Sequence, residues 1–254
     1  GDFHIYYSYN EDREPIIPRL AIRMEGKNKI AESPRGIAPD QNLDPYIHPV
    51  LEKKLTDFGK EGELYKKRIA DLDMLNLIWE KNKVHQELIT KELRFLYEID
   101  RKIQRFGYQK DPRIEEILSG RNVKVDISTI TGFPTDQIST TQTEALKGGI
   151  KYHYGSLNLR SLTSTEGLKL PDSIGGDLDL ERLTSAEGLE LPNSIGGGLH
   201  LGNLISAEDL KLPNSIGGYL DLRSLTSAEG LKFPDSIGGG LHLGNLISAA
   251  GLKL

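Results

Sequence analysis

Asp177-Leu178-Asp179-Leu180-Glu181-Arg182-Leu183-Thr184-Ser185-Ala186-Glu187-Gly188-Leu189-Glu190-Leu191-Pro192-Asn193-Ser194-Ile195 is one copy of a pattern that returns every 21 residues. Leu157, Leu178, Leu199, Leu220 and Leu241 mark the same position in successive copies. A fixed period of this length means a one-dimensional stack of structural units. Each copy holds two Leu-x-Leu pairs, such as 178/180 and 189/191, and period-two spacing puts both leucines of a pair on one side of a short strand. The expected fold from 154 to 254 is therefore a parallel β-solenoid of 21-residue coils, about five of them with the last incomplete. Two sheets, one from each leucine pair, enclose a narrow core that Leu183 and Ile195 complete. The Gly-Gly pairs at 175–176, 196–197, 217–218 and 238–239 are assigned to a corner with positive φ. Pro171, Pro192, Pro213 and Pro234 are assigned to the exit of the second strand, where a missing N–H is tolerated.

Working outward, residues 123–153 read as a linker and N-terminal cap of the solenoid. Val123, Val125 and Ile127 alternate like a strand, and Thr140 to Lys147 looks like a decayed copy of the repeat. Residues 1–122 read as a small antiparallel sheet plus amphipathic helices. Phe3 to Tyr9 is aromatic and β-branched, and Asn10-Glu11-Asp12 makes a turn. Leu20, Ile22 and Met24 share one face of the next strand, Glu25 to Asn28 is a hairpin turn, and Lys29 to Glu32 returns before Pro34-Arg35-Gly36 ends the sheet. Four helices follow: Asp44 to about Phe58, a second with Tyr65, Ile69, Leu72 and Trp79 at helical spacing, a third from Thr90 with a stripe of Leu96, Ile99, Ile103 and Phe106, and a fourth opened by Asp111-Pro112. The segment Gly59 to Gly62 breaks the first from the second, and Gly107 stops the third. The fold class is an α+β N-terminal module followed by a parallel β-solenoid.

Composition narrows the chemistry. The chain has 254 residues, a net charge of −5 and no cysteine, which rules out disulfides, thiolate metal sites and cysteine nucleophiles. No apolar run approaches the roughly 18–20 residues of a membrane helix, so no membrane partner is expected; the absence of cysteine fits a cytoplasmic protein, and a bacterial surface or secreted protein would look the same. The start at Gly1-Asp2-Phe3 and the stop at Leu254 suggest a fragment at both ends. No catalytic constellation, metal site or cofactor motif stands out.

Between the paired leucines runs a ladder of Asn158, Asp179, His200, Asp221 and His242. A metal- or proton-binding strip would use such residues, but cross-coil pairing in a duplicated 42-residue unit that keeps like charges out of register is favoured. Ser164, Ser185, Ser206, Ser227 and Ser248 recur at one corner, where they are expected to bond the turn backbone and not to act as nucleophiles. The row Thr163, Thr184, Ile205, Thr226, Ile247 lacks the doubled threonine columns of an ice-binding face. Arg19, Arg23 and Arg35, interleaved with Tyr6, Tyr7 and Tyr9, form a candidate nucleic-acid contact, with a solvated sheet face favoured because the chain is acidic. Lys53-Lys54, Lys66-Lys67-Arg68 and Arg101-Lys102 alternate with acids as solvated helix faces do, and His4, His48, His85 and His153 lack ligand spacing.

The repeat resembles leucine-rich-repeat solenoids and, more closely, the receptor L-domain kind of β-helix, in which Gly-Gly-x-Leu-x-Leu is followed by Leu-Thr-Ser-x-x-Gly-Leu. The resemblance covers about 100 residues, and the asparagine ladder of leucine-rich repeats appears only at Asn203 and Asn245. It implies a binding or spacing scaffold. Residues 1–36, through Pro18 to Met24, Lys29-Ile30-Ala31-Glu32 and Arg35-Gly36, are similar to the tail of the PcfJ-like family of bacterial mobile-element proteins, although the upstream His-Cys-Val segment of that family is absent. That likeness implies a bacterial origin and no assigned activity. Two functional expectations follow. The first is a non-enzymatic interaction scaffold with a protein partner, including self-association through the last coil, where Leu241, Leu243, Leu252 and Leu254 form an open rim. The second is a fragment of a bacterial mobile-element or nucleic-acid-acting enzyme whose catalytic part lies upstream.

Overall fold

A computed structural model describes residues 2–27, 29–32, 35–36, 52, 54–106 and 109–247. The chain divides into two compact units, Gly1–Gly120 and Arg121–Leu254.

In the first unit, β1 (Phe3–Ser8), β2 (Ile17–Glu25), β3 (Lys29–Ile30) and β4 (Arg35–Gly36) form an antiparallel sheet in which β2 pairs with the other three. Alternation on β2 works as the sequence implies: Leu20, Ile22 and Met24 are buried, against Ile30, Leu55 and Tyr65. Arg35–Gly36 does not end the sheet but adds a strand opposite Leu20 and Ala21. The long helix α1 (Lys60–Lys83) starts after Gly59, whose φ of 53° turns the chain. Gly62 is not part of that break. It lies inside α1, buried where a Cβ would overlap the Leu55 carbonyl.

Helix α2 (Thr90–Leu96) begins where expected but ends a full stripe early, since Tyr97 caps it and Glu98 takes φ 52°. Ile99, Ile103 and Phe106 therefore sit on non-helical chain, with the Ile103 N–H donating to the Glu98 carboxylate at 2.8 Å. Asp111 caps α3 (Pro112–Ser119) by accepting from the Arg113 N–H, as its sequence predicts. Of the first predicted helix, residues 52 and 54–57 are helical; its start at Asp44-Pro45, the Pro34 and Gly107 stops, and the Lys53 and His48 assignments lie outside the described residues.

In the second unit, Val123–Thr131 is a helix, α4, and not a strand. Asn122 accepts from the Val125 N–H, Gly132 closes the helix at φ 79°, and Ile127 and Ile130 bury one face. Three alternating β-branched residues fit either period, and here the caps decide. A 3₁₀ turn leads into β5 (Ile138–Ser139), and α5 (Gln142–Ala145) follows. Helix α4 lies against β5, so this end of the solenoid is covered. Lys124 reaches Glu144 at 2.6 Å, and that contact together with the Thr140 N–H holds the Glu144 carboxyl down at about 2.

From Tyr152 the chain winds into a β-solenoid of about four full coils and the beginning of another. Strands β6 (Tyr152–His153), β8 (Ser173–Ile174), β10 (Ser194–Ile195), β12 (Ser215–Ile216) and β14 (Ser236–Ile237) stack in parallel on β5. Strands β7 (Leu157–Asn158), β9 (Leu178–Asp179), β11 (Leu199–His200), β13 (Leu220–Asp221) and β15 (Leu241–His242) make the second parallel sheet. The coils are tied in both directions. Leu178 N–H donates to Gly198 O at 2.8 Å and Leu199 N–H to Tyr219 O at 2.8 Å, while Gly196 N–H donates back to Ile174 O at 2.8 Å.

One sheet uses the first Leu-x-Leu pair, as expected. The other uses Ser-Ile, and the second leucine pair belongs to no strand. The reason lies in the prolines, which precede the Ser-Ile strands and have no N–H to give a ladder. Open slots of about 510 and 600 Å³ separate the coils along that side, lined by 188–193 with 209–214, and by 207–214 with 229–235. The interior is apolar throughout: Leu180, Leu201 and Leu222 are fully buried, with Leu183, Leu204 and Leu225 beside them.

The glycine pairs also play a different role from the one expected. Gly175, Gly196, Gly217 and Gly238 lack positive φ; a Cβ on Gly217 would collide with the Gly196 carbonyl of the coil below, and a Cβ on Gly238 with that of Gly217. Positive φ falls instead at Gly167, Gly188 and Gly230, and at the equivalent Asp209, φ 62°. At the cap, buried His153 takes a hydrogen bond from Ser139 Oγ on Nδ1 at 2.9 Å, and burial holds its pKa below the usual histidine range.

Two sets of variants test this register. Leu201→Asp places an unpaired charge in the apolar core, a cost of several kcal/mol, and should melt the coils; wild-type melting would refute the inward assignment. Gly217→Ala should also destabilise, whereas Asp209→Gly should stabilise by roughly 0.5–1 kcal/mol because glycine accepts φ > 0 at low cost. Chemical denaturation of both variants gives the comparison, and equal effects of the two would refute it.

Candidate functional site

The ladder residues occupy one outer face of the β7–β15 sheet. Register pairs Asn158 with Asp179, Asp179 with His200, His200 with Asp221 and Asp221 with His242. They differ in exposure: Asp179 and His200 are half-buried, Asp221 is buried and His242 is exposed.

The asparagine and the two aspartates have local work. Asn158, Asp179 and Asp221 each accept from the N–H two residues on, in Arg160, Glu181 and Arg223, at 3.1, 3.0 and 3.1 Å. This is the turn closure that Asn and Asp provide and histidine does not. The histidine coils carry Gly202 and Gly244 at the position two residues on. A Cβ on Gly202 would meet Arg223 Nε at 3.3 Å and Glu181 Cγ at 3.6 Å, so the glycine leaves room for the long side chains of both neighbouring coils. Arg160 pairs with Glu181, and Arg223 with Asp221. The Asp221 carboxyl is held below the usual aspartate range, chiefly by Arg223 and to a smaller degree by His242. Tyr219 meets His242 edge-on at 5.6 Å. Along the 42-residue alternation a capped turn with long side chains is thus followed by a glycine turn.

The other repeated rows follow the same economy. Ser164, Ser185, Ser206 and Ser227 accept from the N–H of Glu166, Glu187, Glu208 and Glu229 at 3.1–3.2 Å; Ser248, Leu252 and Leu254 lie outside the described residues. Among the described residues no three His, Asp or Glu side chains form a metal-binding group, and no helix is long and apolar enough to cross a membrane.

At the N-terminal sheet the arginines are engaged. Arg19 Nε donates to Ser8 Oγ at 2.7 Å, and Arg23 lies 3.6 Å from the Glu32 carboxylate; for Arg35 only the backbone is described. Phe3, Ile5, Tyr7 and Tyr9 are exposed in alternation on β1 and just beyond it.

One concave site escaped the sequence reading. Arg68 does not lie on a solvated face: it is half-buried at a cavity of about 340 Å³ formed with Leu72, Leu75, Phe106 and Ile114. The signal was present, since 68 falls three residues after Tyr65 and four before Leu72, on the buried stripe of α1.

Comparison with known protein families, characterised proteins and solved structures finds no match.

A carboxylate in place of the ladder imidazole tests the packing account. His200→Asp sets a third acid between Asp179 and Asp221 and should cost roughly 0.5–1 kcal/mol in denaturation at low salt, relieved by added salt. No cost at either ionic strength would mean that the rungs do not communicate. The Asp221–Arg223 contribution is complete above the ordinary aspartate value near 4 and is lost as pH falls through the depressed folded value. Arg223→Ala should remove that part of the acid dependence.

Proposed function

We propose that this protein is a non-enzymatic interaction scaffold whose solenoid offers a repetitive surface to a protein partner. The observation that carries this reading is the in-register outer face from Asn158 to His242, with Tyr219 57% exposed beside it. Its rows are set by the coil period and alternate between acid and imidazole, so a partner with a matching repeat meets the same contacts at every second rung. The likeness to receptor L-domains, whose folds carry binding and no inherent chemistry, supports the same reading. The partner class includes a second copy of the chain. Strands β14 and β15 each pair on one side only among the described residues, and unpaired β edges are templates for further pairing.

A bacterial, cytoplasmic setting belongs to this proposal and rests on the PcfJ-like and compositional arguments. The competing nucleic-acid reading loses ground at Arg19 and Arg23, whose side chains are already engaged by Ser8 and Glu32.

Photo-crosslinking tests the scaffold reading. A crosslinker at Tyr219 should give a discrete protein adduct in cells, reduced by Arg223→Glu, while one at Val84, 70% exposed on the other unit, should not. Identical adducts from both positions would overturn the assignment of the face. Sedimentation velocity over a wide concentration range distinguishes a second copy from a different protein.

A further inference from the structure

Strand β1 is a margin of the first unit's sheet: it pairs with β2 on one side and, among the described residues, with no strand on the other. The Met24 N–H donates to Asp2 O at 2.8 Å, and the register continues through His4 opposite Ile22 and Tyr6 opposite Leu20. Backbone direction alternates along an antiparallel strand. His4 and Tyr6 therefore turn their backbone groups toward β2, while Phe3, Ile5 and Tyr7 aim their N–H and C=O groups into the open margin. The irregularity in this pairing is an extra residue on β2, Arg19, so β1 itself runs regularly past it.

Natural edge strands are blunted by lysine and other charges, by proline or by a bulge in the edge itself. Phe3-His4-Ile5-Tyr6-Tyr7-Ser8 has no Lys, Arg, Asp, Glu or Pro, and its bulge lies on the neighbouring strand. Its outer face is apolar as well. Phe3, Ile5 and Tyr7 are 54, 44 and 48% exposed, on the side of the sheet opposite the buried Leu20, Ile22 and Met24.

The order of residues says what completes this edge. Two positions from Ile5 stands an aromatic ring in either direction, Phe3 one way and Tyr7 the other. Turned about a two-fold axis at Ile5, a second β1 sets Ile5 opposite Ile5, Phe3 opposite Tyr7 and His4 opposite Tyr6. The outward backbone groups then meet outward groups, and the facing side chains are aromatic and β-branched pairs of the kind that stabilise antiparallel strands. A slip by one residue sets outward groups against inward ones and apolar side chains against the wrong face.

We propose that two copies of this chain associate through β1, antiparallel about a two-fold axis at Ile5, so that their sheets join into one. The interface is isologous, the same strand on both sides. It concerns the first unit alone and is independent of the solenoid face and of the last coil.

Sedimentation velocity of the full chain and of two charge variants tests it. The wild type should show a concentration-dependent dimer. Ile5→Lys and Ile5→Glu each set like charges opposite each other at the axis and should weaken the dimer by about tenfold. Mixed in equal amounts the two variants should associate again, because opposite charges then meet there. Ile5 is 44% exposed, so both should keep the wild-type circular dichroism. The chain has no cysteine, so single cysteines report proximity. Ile5→Cys should give a disulfide-linked dimer on mild oxidation, since facing Cα atoms about 5.5 Å apart suit the bond. Val84→Cys, at a position 70% exposed, should not. Should a charge variant lose its circular dichroism signal, the cysteine pair decides alone. A wild type that stays monomeric, association unchanged in both charge variants, a mixture that stays monomeric, or equal linking through Val84→Cys would each overturn the proposal.

Discussion

The solenoid rests on the hydrogen bonds between successive coils, and their spacing constrains everything that lies along them. Leu178, Leu199 and Leu220 donate to the coil that follows; Gly196, Gly217 and Gly238 donate to the coil that precedes. At that rise the backbones at one corner approach so closely that only hydrogen fits on Gly196, Gly217 and Gly238. The same rise stacks the inward leucines into a continuous apolar column, so each coil buries its core against its neighbours and not within itself. Where proline removes the N–H, the bond row lapses and the coils open into slots.

In-register stacking also disciplines charge. A residue type repeated at every rung would place like charges a strand spacing apart, about 4.8 Å. The ladder avoids this by alternation, and the alternation reaches the next column, where Glu181 and Arg223 flank Gly202. Asp221 is buried and tolerable because Arg223 neutralises it and its second role is to close the turn. What looks from the rows like imidazole–carboxylate chemistry is met by backbone N–H groups and an arginine.

The first unit solves a different problem. Its sheet buries one face against Tyr65 and Leu55, and the buried acids Asp71 and Glu92 are each matched by a cation, Arg101 and Lys81. Breaking one side of such a pair strands a buried charge, which is costly. Among the described residues the buried Nε–H of Arg68 has no acceptor.

How much was legible follows from the range of the interactions. The period, the inward leucines, the serine turns and the Asp111 cap were all readable from the chain, because each depends on residues a few positions apart or on their repetition. The alternation of Leu20, Ile22 and Met24 was readable for the same reason. Tertiary structure decided the rest. Residues 123–131 became a helix because Asn122 and Gly132 cap it and Ile127 and Ile130 bury one face, although three alternating β-branched residues suit a strand equally well. Ser-Ile took the second sheet in place of Leu189 and Leu191, because the proline before it cannot join a ladder. The glycine pairs serve close approach and not a left-handed turn, a distinction set by the distance to another coil, which lies 21 residues away in the chain. Arg68 belongs to a basic run that suits a solvated helix face, and only its placement over Phe106, 38 positions on, leaves its Nε–H buried with no acceptor among the described residues.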